Sequence, residues 1–202
     1  ATGLGVPSNG LLYPPASVED IPFVTRPKSE GGVLERKGMV EVISSLETDG
    51  RKIPYDIRMG VWVTVEGETE YIRNCFEEYN AHTDPSGRYF TLYKRWHLIG
   101  LEVGVSVASV ALRGEPTGVA TAWNADVVAT AKRDLQAGEM LDGEGGYTVW
   151  GKLLPAATSV GLGGLPLGLA HQVKLLRPVK QGQCLSWADV AMDASTNAYR
   201  TR

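Results

Sequence analysis

Cysteine and histidine are scarce in this chain, which has two of the first and three of the second among 202 residues. Cys75 and Cys184 lie far apart, form no Cys-x-x-Cys pair and have no histidine at ligand spacing. The sequence therefore predicts neither a disulfide framework nor a zinc knuckle, and it identifies no metal ligands. Two unpaired thiols are typical of a reducing compartment, and we expect the cytoplasm.

A surplus of positive charge and a long apolar run are also missing. The net charge is −3 and the basic residues are scattered along the chain, so nucleic acid is not an expected partner. The most apolar stretches, residues 103–112 and 160–170, are too short and too rich in small residues to span a bilayer. With 43% hydrophobic and 21% charged residues, the chain should fold around a packed core.

The spacing of the apolar residues predicts an α+β fold in which a mixed sheet packs with helices. Residues 57–65 and 88–93 have the alternation of strands. Residues 68–79 repeat apolar side chains at helical spacing, with Thr69 as the expected cap. Residues 98–112 predict a helix buried on two sides, although alternating valines within it would also suit a strand. Residues 154–170 are rich in glycine and proline and predict a loop.

One short phrase occurs twice, as AKRDLQAGEMLD from Ala131 and as LLRPVKQGQCLS from Leu175. Each copy has the pattern of a strand, a turn that needs glycine, and an apolar residue that returns inward. Because such a unit cannot bury its own apolar face, we predict that the two copies pack on each other. The positions that recur at a constant offset of 44 residues are Arg133 and Arg177, Gly138 and Gly182, and Leu141 and Leu185.

This doubled phrase resembles the SAF domain, a small all-β module of the β-clip type. The resemblance covers residues 126–193 and rests on the glycine and the flanking apolar positions, which recur in register. It implies a SAF-like β-clip domain over residues 119–193. Residues 194–202 then form a tail that either frays or docks on a neighbour.

A second resemblance covers nearly the whole chain. It rests most heavily on residues 87–117, which read GRYFTLYKRWHLIGLEVGVSVASVALRGEPT, and it includes further short segments. These are ATGL from residue 1, GGVL from 31, GMVEV from 38, DGEGGYTV from 142 and LPLGLAH from 165. The chain is similar to the C-terminal half of SAF-containing, NAD(P)-dependent oxidoreductases with a homoserine-dehydrogenase-like layout, the type II or DXP reductoisomerase-like enzymes.

The resemblance implies an enzyme that acts on a small polyhydroxylated carbonyl compound, phosphorylated or not, and that forms a homo-oligomer. Residues 1–118 would be its central catalytic and oligomerisation region. Its cofactor would be NADP or NAD, held mainly by an upstream Rossmann domain, and a divalent metal ion is a further option. Neither Gly3-Leu4-Gly5 nor Gly161-Leu162-Gly163-Gly164 follows a strand and opens a helix, so neither predicts a dinucleotide site. We therefore expect a fragment that is inactive in isolation.

The densest polar cluster lies where the second strand meets the apolar helix, a position at the mouth of a sheet. Lys94 is a candidate proton donor or acceptor, with His97 as an alternative acid or orienting group and Glu102 as the third catalytic candidate. Arg95 would contact an anionic group of the substrate, and Tyr93 would help to bind it. The competing interpretation is a solvated strand end with an ordinary helix-entry histidine.

Two other interpretations remain open at this stage. Asp142 and Glu144 flank Gly143 and could supply oxygen ligands to a divalent metal ion, although this pattern is more often a simple turn. The SAF-like half could also be a non-catalytic module that binds a sugar acid or a partner protein. Such a module would have a pocket lined by Tyr147, Trp150 and Trp187, with the region around Lys94 exposed.

Overall fold

A computed structural model describes residues 3–7, 16–43, 51–52, 60–96 and 98–202. Helices and small antiparallel sheets alternate along the chain, which confirms the α+β class. The chain divides into two compact units, one formed by Leu12–Thr121 and the other by Gly3–Leu11 together with Ala122–Arg202. None of the helices in the described ranges is both long enough and apolar enough to cross a membrane.

The first unit is built around one antiparallel strand pair. Its elements are α1 (Ile21–Val24), β1 (Val61–Glu66), α2 (Glu70–Glu78), β2 (Tyr89–Lys94) and α3 (Ile99–Ala108). Strands β1 and β2 run in opposite directions, with Val61 across from Lys94 and Glu66 across from Tyr89. The expected mixed sheet is thus an antiparallel ladder in this unit, and the predicted residues 57–59 lie outside the described part.

Helix α2 confirms the predicted helix and its cap. Thr69 has an extended backbone, and its side-chain oxygen accepts a hydrogen bond from the Ile72 amide at 3.3 Å. That bond satisfies one of the amide groups that a helix leaves unpaired in its first turn. Phe76 of α2 then packs against Phe90 of β2 with the ring centroids 5.2 Å apart.

The two faces of the β1–β2 ladder differ sharply. One face carries Trp62 stacked on Tyr93, and Thr64 hydrogen-bonded to Thr91 at 2.8 Å. Thr25, which follows α1, reaches the same face through a 2.7 Å hydrogen bond to Thr64. The other face is apolar and exposed, with Val61, Val63, Val65 and Leu92.

Residues 98–112 are helical, so the alternative of a strand is wrong. Helix α3 continues into a π-helical turn over Ser109–Arg113, and the chain reverses at Gly114. The predicted burial on two sides is also wrong for this chain, since Leu101 is 76% exposed and Leu112 is 84% exposed. The apolar residues follow a helical pattern, but the described neighbours leave both sides of the helix uncovered.

The second unit is mainly β structure. Its elements are β3 (Ala125–Ala131), β4 (Met140–Asp142), β5 (Val149–Pro155), α4 (Ala156–Leu162), β6 (His171–Leu175), β7 (Val190–Ala191) and α5 (Asn197–Arg200). Strand β3 pairs with β5, and β6 lies between β4 and β7. The predicted loop over residues 154–170 is wrong in part, because it contains α4 and a short 3-10 turn.

The two copies of the repeated phrase pair with each other about a local twofold axis. The Leu135 and Val179 amides donate to each other's carbonyl oxygens at 2.9 and 3.1 Å, and these two positions are equivalent in the repeat. The Gly138 amide donates to the Leu175 carbonyl at 2.8 Å, and the equivalent Gly182 amide donates to the Ala131 carbonyl at 2.9 Å. Both glycines have a positive φ, of 88° and 80°, which other residues rarely adopt.

The same symmetry forms the core of the second unit. Leu141 and Leu185, the inward-returning residues of the two copies, are each 1% exposed. They belong to one apolar cluster that includes residues of both copies and of the strands around them. The prediction that the two copies pack on each other is therefore confirmed.

The segment after Asp193 docks on its own unit. Thr196 caps α5 by accepting a hydrogen bond from the Tyr199 amide at 3.3 Å. The ring of Tyr199 meets Trp187 edge to face, with the centroids 5.2 Å apart. The sequence predicts fraying or docking on a neighbour, whereas the structure shows the segment packed on its own unit instead.

Candidate functional site

The end of β2 and the first turn of α3 bring two of the predicted catalytic residues together. Lys94 Nζ lies 2.5 Å from Glu102 Oε1, and the two side chains are 63% and 31% exposed. Lys94 is the last residue of β2, and Glu102 lies in the first turn of α3 after a short connection. An ammonium group held by a carboxylate at an open edge can reach a solvent-borne substrate and give it a proton.

The other predicted residues surround this pair less closely. Tyr93 is on the opposite face of β2 from Lys94, where its ring stacks on Trp62 with centroids 5.3 Å apart and planes 4° apart. Arg95 is exposed, and its guanidinium lies over the Trp96 ring, 5.1 Å from the centroid. His97 lies outside the described residues. The structure therefore brings Lys94 and Glu102 together, while Tyr93 packs on the opposite face of the strand.

Gly60 holds the backbone beside this site in a conformation that other residues rarely adopt. Its φ is +147°, and a Cβ atom there would lie 2.4 Å from Tyr93 Cε2 and 2.7 Å from the Lys94 carbonyl oxygen. The tyrosine ring cannot easily move, because it is stacked on Trp62. The absence of a side chain at residue 60 thus lets the chain pass close to Lys94.

We expect Gly60→Ala to displace Lys94 and to lower the free energy of unfolding by roughly 1–3 kcal/mol through backbone strain alone. Urea unfolding and an activity assay of the protein would measure the two effects. Gly87→Ala is a matched control, because Gly87 also has a positive φ, of +67°, but no atom lies within 4 Å of its added Cβ. If both variants lost the same stability and both kept full turnover, the close approach at Gly60 would have no role in the site.

A second polar cluster at the opposite end of the ladder was not predicted. The Tyr89 hydroxyl donates to Glu30 Oε2 at 2.6 Å, and Arg88 lies 3.4 Å from the same oxygen. Arg88 also pairs with Glu66, which in turn pairs with Lys37. The hydrogen bond from Lys37 lowers the pKa of Glu66, and burial together with the Glu30 hydrogen bond raises the pKa of Tyr89 to about 12.

Asp84 anchors the turn that precedes this cluster. Its buried carboxylate accepts hydrogen bonds from the Tyr89 amide at 3.0 Å, the Arg88 amide at 3.1 Å and the Ser86 hydroxyl at 2.7 Å. Arg26 adds an ion pair at 3.4 Å. Burial by itself would raise the pKa of Asp84, but these donors outweigh it and lower the pKa.

The charges in this cluster balance, since two basic side chains face two carboxylates. A neutral, internally paired network has a structural use: it holds residues 26–37 against the strands. Local sequence patterns could indicate only the turn around Asp84, because the other contacts join residues about 20 to 60 positions apart.

In the second unit, the acidic turn is engaged in its own hydrogen bonds. The Asp142 carboxylate accepts from the Tyr147 amide at 2.6 Å, from the Thr148 amide at 3.0 Å and from the Thr148 hydroxyl. The Thr148 hydroxyl and the Tyr147 amide lower the pKa of Asp142 to about 2. This geometry favours the turn interpretation over a metal ligand. Over the described ranges, no group of three or more His, Cys, Asp or Glu side chains could hold a metal ion.

Asp142→Asn should test that assignment through its pH dependence. The ionised carboxylate stabilises the fold above its unfolded pKa of about 4, and the contribution is lost as the pH falls towards about 2. We expect the variant to lose roughly 1–3 kcal/mol of unfolding free energy at neutral pH and much less near pH 2. Urea titrations at both pH values would show it, with Glu144→Gln, an exposed carboxylate in the same turn, as the control. A deficit independent of pH would contradict the assignment.

The aromatic pocket of the alternative interpretation is not assembled in the described contacts. Tyr147 is 86% exposed at the tip of the turn. Trp150 pairs across the ladder with Thr130, and Trp187 packs on the core and on Tyr199.

The glycine segments offer no cradle for a dinucleotide. Gly163 ends α4 in the left-handed conformation, so Gly161–Gly164 lies at the carboxyl end of a helix, where carbonyl oxygens rather than amides are free. Leu4, within the other segment, accepts a hydrogen bond from the Asn124 side chain. The position of Gly161–Gly164 at the carboxyl end of α4 does not fit a pyrophosphate group.

A comparison with protein-family models gives a match. Residues 1–103 match the family model described as the catalytic domain of the oxidoreductase DRL. The matched range contains β1, α2 and β2 and both members of the Lys94–Glu102 pair. A comparison with curated proteins gave no match.

Proposed function

The chain belongs to the DRL oxidoreductase family, and on that premise we propose that Lys94 is the proton donor of an NAD(P)-dependent carbonyl reductase and that Glu102 positions its ammonium group. The observation that carries this proposal is their 2.5 Å contact at an open strand end within the matched catalytic domain. The substrate we propose is a small polyhydroxylated aldehyde or ketone, phosphorylated or not, as for a DXP reductoisomerase-like enzyme.

The proposed reaction requires these residues to supply one proton to the substrate oxygen. Reduction of a carbonyl carbon leaves negative charge on its oxygen, which must receive a proton. The Lys94 ammonium would hydrogen-bond to that oxygen in the ground state and transfer a proton as the charge develops. Glu102 holds the ammonium in position by its ion pair. Arg95, the next residue, would contact an anionic group of the substrate.

The nature of the hydride donor is proposed from the resemblance. We propose NADP or NAD as cofactor, held mainly by an upstream Rossmann domain, and the position of Gly161–Gly164 at the carboxyl end of α4 supports a dinucleotide site outside that segment. A divalent metal ion is proposed from the family resemblance alone, and the proton transfer by Lys94 does not require it. The two thiols are unpaired, in keeping with the proposed cytoplasmic location.

We propose further that residues 1–118 are the catalytic and oligomerisation region and that residues 119–193 are a SAF-like β-clip module. The local twofold pairing of the repeated phrase supports the second assignment. A module with its own core could also act as a binding unit for a sugar acid, which is the alternative function.

Turnover separates the two functions. The full-length enzyme should oxidise NADPH or NADH when supplied with some member of a panel of polyhydroxylated aldehydes and ketones, tested with and without phosphate. Nicotinamide absorbance would follow the reaction, and calorimetry with sugar acids would test the alternative. Binding of a sugar acid without any nicotinamide-dependent turnover would replace the proposed function by the alternative.

The exposed apolar surface of the first unit supports the proposed homo-oligomer. Between Ile99 and Leu112 the only charged residue is Glu102, so α3 has almost no polar group to face water. The apolar side of the β1–β2 ladder is exposed as well. A monomer rarely leaves so much apolar surface uncovered, and a second copy would bring an equally uncharged helix.

Val105→Asp should weaken this association roughly 100-fold or more, because burying an unpaired carboxylate in an apolar interface costs several kcal/mol. Sedimentation of the native and variant proteins would measure the change. Val160→Asp is the control, since Val160 is an exposed valine on a helix of the second unit. A native protein that sediments as a monomer, or an oligomer unaffected by Val105→Asp, would contradict the interface.

A further inference from the structure

One basic side chain of the second unit is held by an aromatic ring and a carboxylate together. The Arg202 guanidinium lies over the Trp123 ring, 4.3 Å from its centroid, and forms an ion pair with Asp126. The Arg202 and Asp126 side chains are 20% and 12% exposed, so the pair is largely screened from water. Stacking on an indole with a charged hydrogen bond at the side is the preferred environment of a guanidinium group.

The Asp126 carboxylate is held in place by hydrogen bonds within the second unit. Asp126 lies in β3, where its Oδ1 accepts from the Val127 amide at 2.9 Å. Its Oδ2, the oxygen that faces Arg202, also accepts from the Ser159 hydroxyl. Ser159 lies in α4 and is fully buried. The carboxylate is thus oriented by two donors that do not depend on the arginine.

The segment that carries Arg202 is attached by fewer contacts. Arg202 follows α5, a helix of four residues whose side chains are exposed. Apart from Arg202 itself, the described contacts of this segment with the rest of the unit centre on Tyr199 and Trp187. The Asp126 carboxylate is therefore held rigidly, whereas Arg202 lies on a short, exposed segment. This difference is expected where a binding site is filled by a group that can be displaced.

We propose that Trp123, Asp126 and Ser159 form a binding site for an alkylguanidinium group, which the chain's own Arg202 fills and which an arginine of another molecule can enter when Arg202 is displaced. The ligand class is a peptide arginine. The site is separate from the Lys94–Glu102 pair and does not depend on the proposed function. A tethered occupant competes at an effective concentration in about the millimolar range, so an incoming arginine must bring additional contacts.

The test uses the full chain with Arg202→Ala, a change at the surface that leaves the acceptor intact, and ethylguanidinium as the probe. Two-dimensional NMR of the tryptophan indole signals would follow Trp123, with propylammonium as the control ligand. We expect saturable binding to the variant in the millimolar range and roughly 2-fold or more weaker binding to the native protein, because a tethered competitor at a similar effective concentration occupies about half of the sites. Propylammonium should bind more weakly, because it cannot stack as a plane.

The acceptor is tested by adding Asp126→Asn to the Arg202→Ala chain, which should weaken ethylguanidinium binding by about 10-fold or more. Asp193→Asn is the matched control, because Asp193 is an exposed carboxylate of the same unit outside the site. The circular dichroism of each variant would show whether it is folded. Equal responses of the native and Arg202→Ala proteins, or binding unaffected by Asp126→Asn in a folded chain, would overturn the proposal.

Discussion

Replacing Lys94 with alanine in the full-length enzyme is expected to lower kcat by roughly 100- to 10,000-fold, the usual contribution of a positioned general acid. The side chain is 63% exposed, so its loss should change the unfolding free energy by less than about 1 kcal/mol. Binding of the nicotinamide cofactor should persist, because the cofactor is proposed to lie on another domain. Stopped-flow reduction and cofactor titration would measure the two quantities separately.

The control for this experiment is Lys180→Ala. Lys180 is likewise an exposed lysine in an ion pair, with Nζ 2.7 Å from Asp134 Oδ2, but it belongs to the second unit. Glu102→Gln should lower kcat less than Lys94→Ala, since it removes the holding charge and leaves the ammonium. Full turnover by a folded Lys94→Ala enzyme would remove Lys94 from the site and, with it, the proposed mechanism.

Leu141→Ala and Leu185→Ala are each expected to lower the free energy of unfolding by roughly 2–5 kcal/mol. Both side chains are 1% exposed and occupy equivalent places in the repeated phrase, so the two losses should be similar. Losses of this size are a large part of the total stability of a small domain, which is about 5–15 kcal/mol. Urea unfolding, followed by tryptophan fluorescence, would measure both variants.

Leu176→Ala is the control for these two core variants. Leu176 lies within the second copy of the phrase but is 56% exposed, so its truncation should cost little. A marked inequality between Leu141→Ala and Leu185→Ala would mean that the local symmetry of the backbone is not shared by the packing.

The features that could be predicted from the sequence are those set by local or regular patterns. Thr69 identifies the start of α2, because a hydroxyl in front of a helical repeat of apolar residues satisfies a free amide. The recurrence of Gly138 as Gly182 predicts the two packed copies, since each turn needs a positive φ. The proximity of Lys94 to Glu102 follows from the short connection between the end of β2 and the start of α3.

Other features depend on contacts that no local pattern specifies. Leu101 and Leu112 have the spacing of buried residues, yet the covering surface is not supplied by the described chain. Glu66 pairs with Lys37 and Arg88, which are distant in sequence. Such ion pairs produce no repeating pattern of residues from which they could be predicted. Arg202 meets Asp126 across 76 residues, and only the fold brings them together.

The twofold pairing of the repeated phrase has a consequence for assembly. The six backbone hydrogen bonds between the copies join residues 131–139 to residues 175–183, and they would form equally well between two chains. Such an exchange is domain swapping, and closure within one chain prevails only while its effective concentration, in about the millimolar range, exceeds that of other chains. During crowded synthesis or concentrated refolding, the folding of residues 143–174, which link the two copies and contain β5 and α4, therefore decides whether the unit closes on itself or on a neighbour.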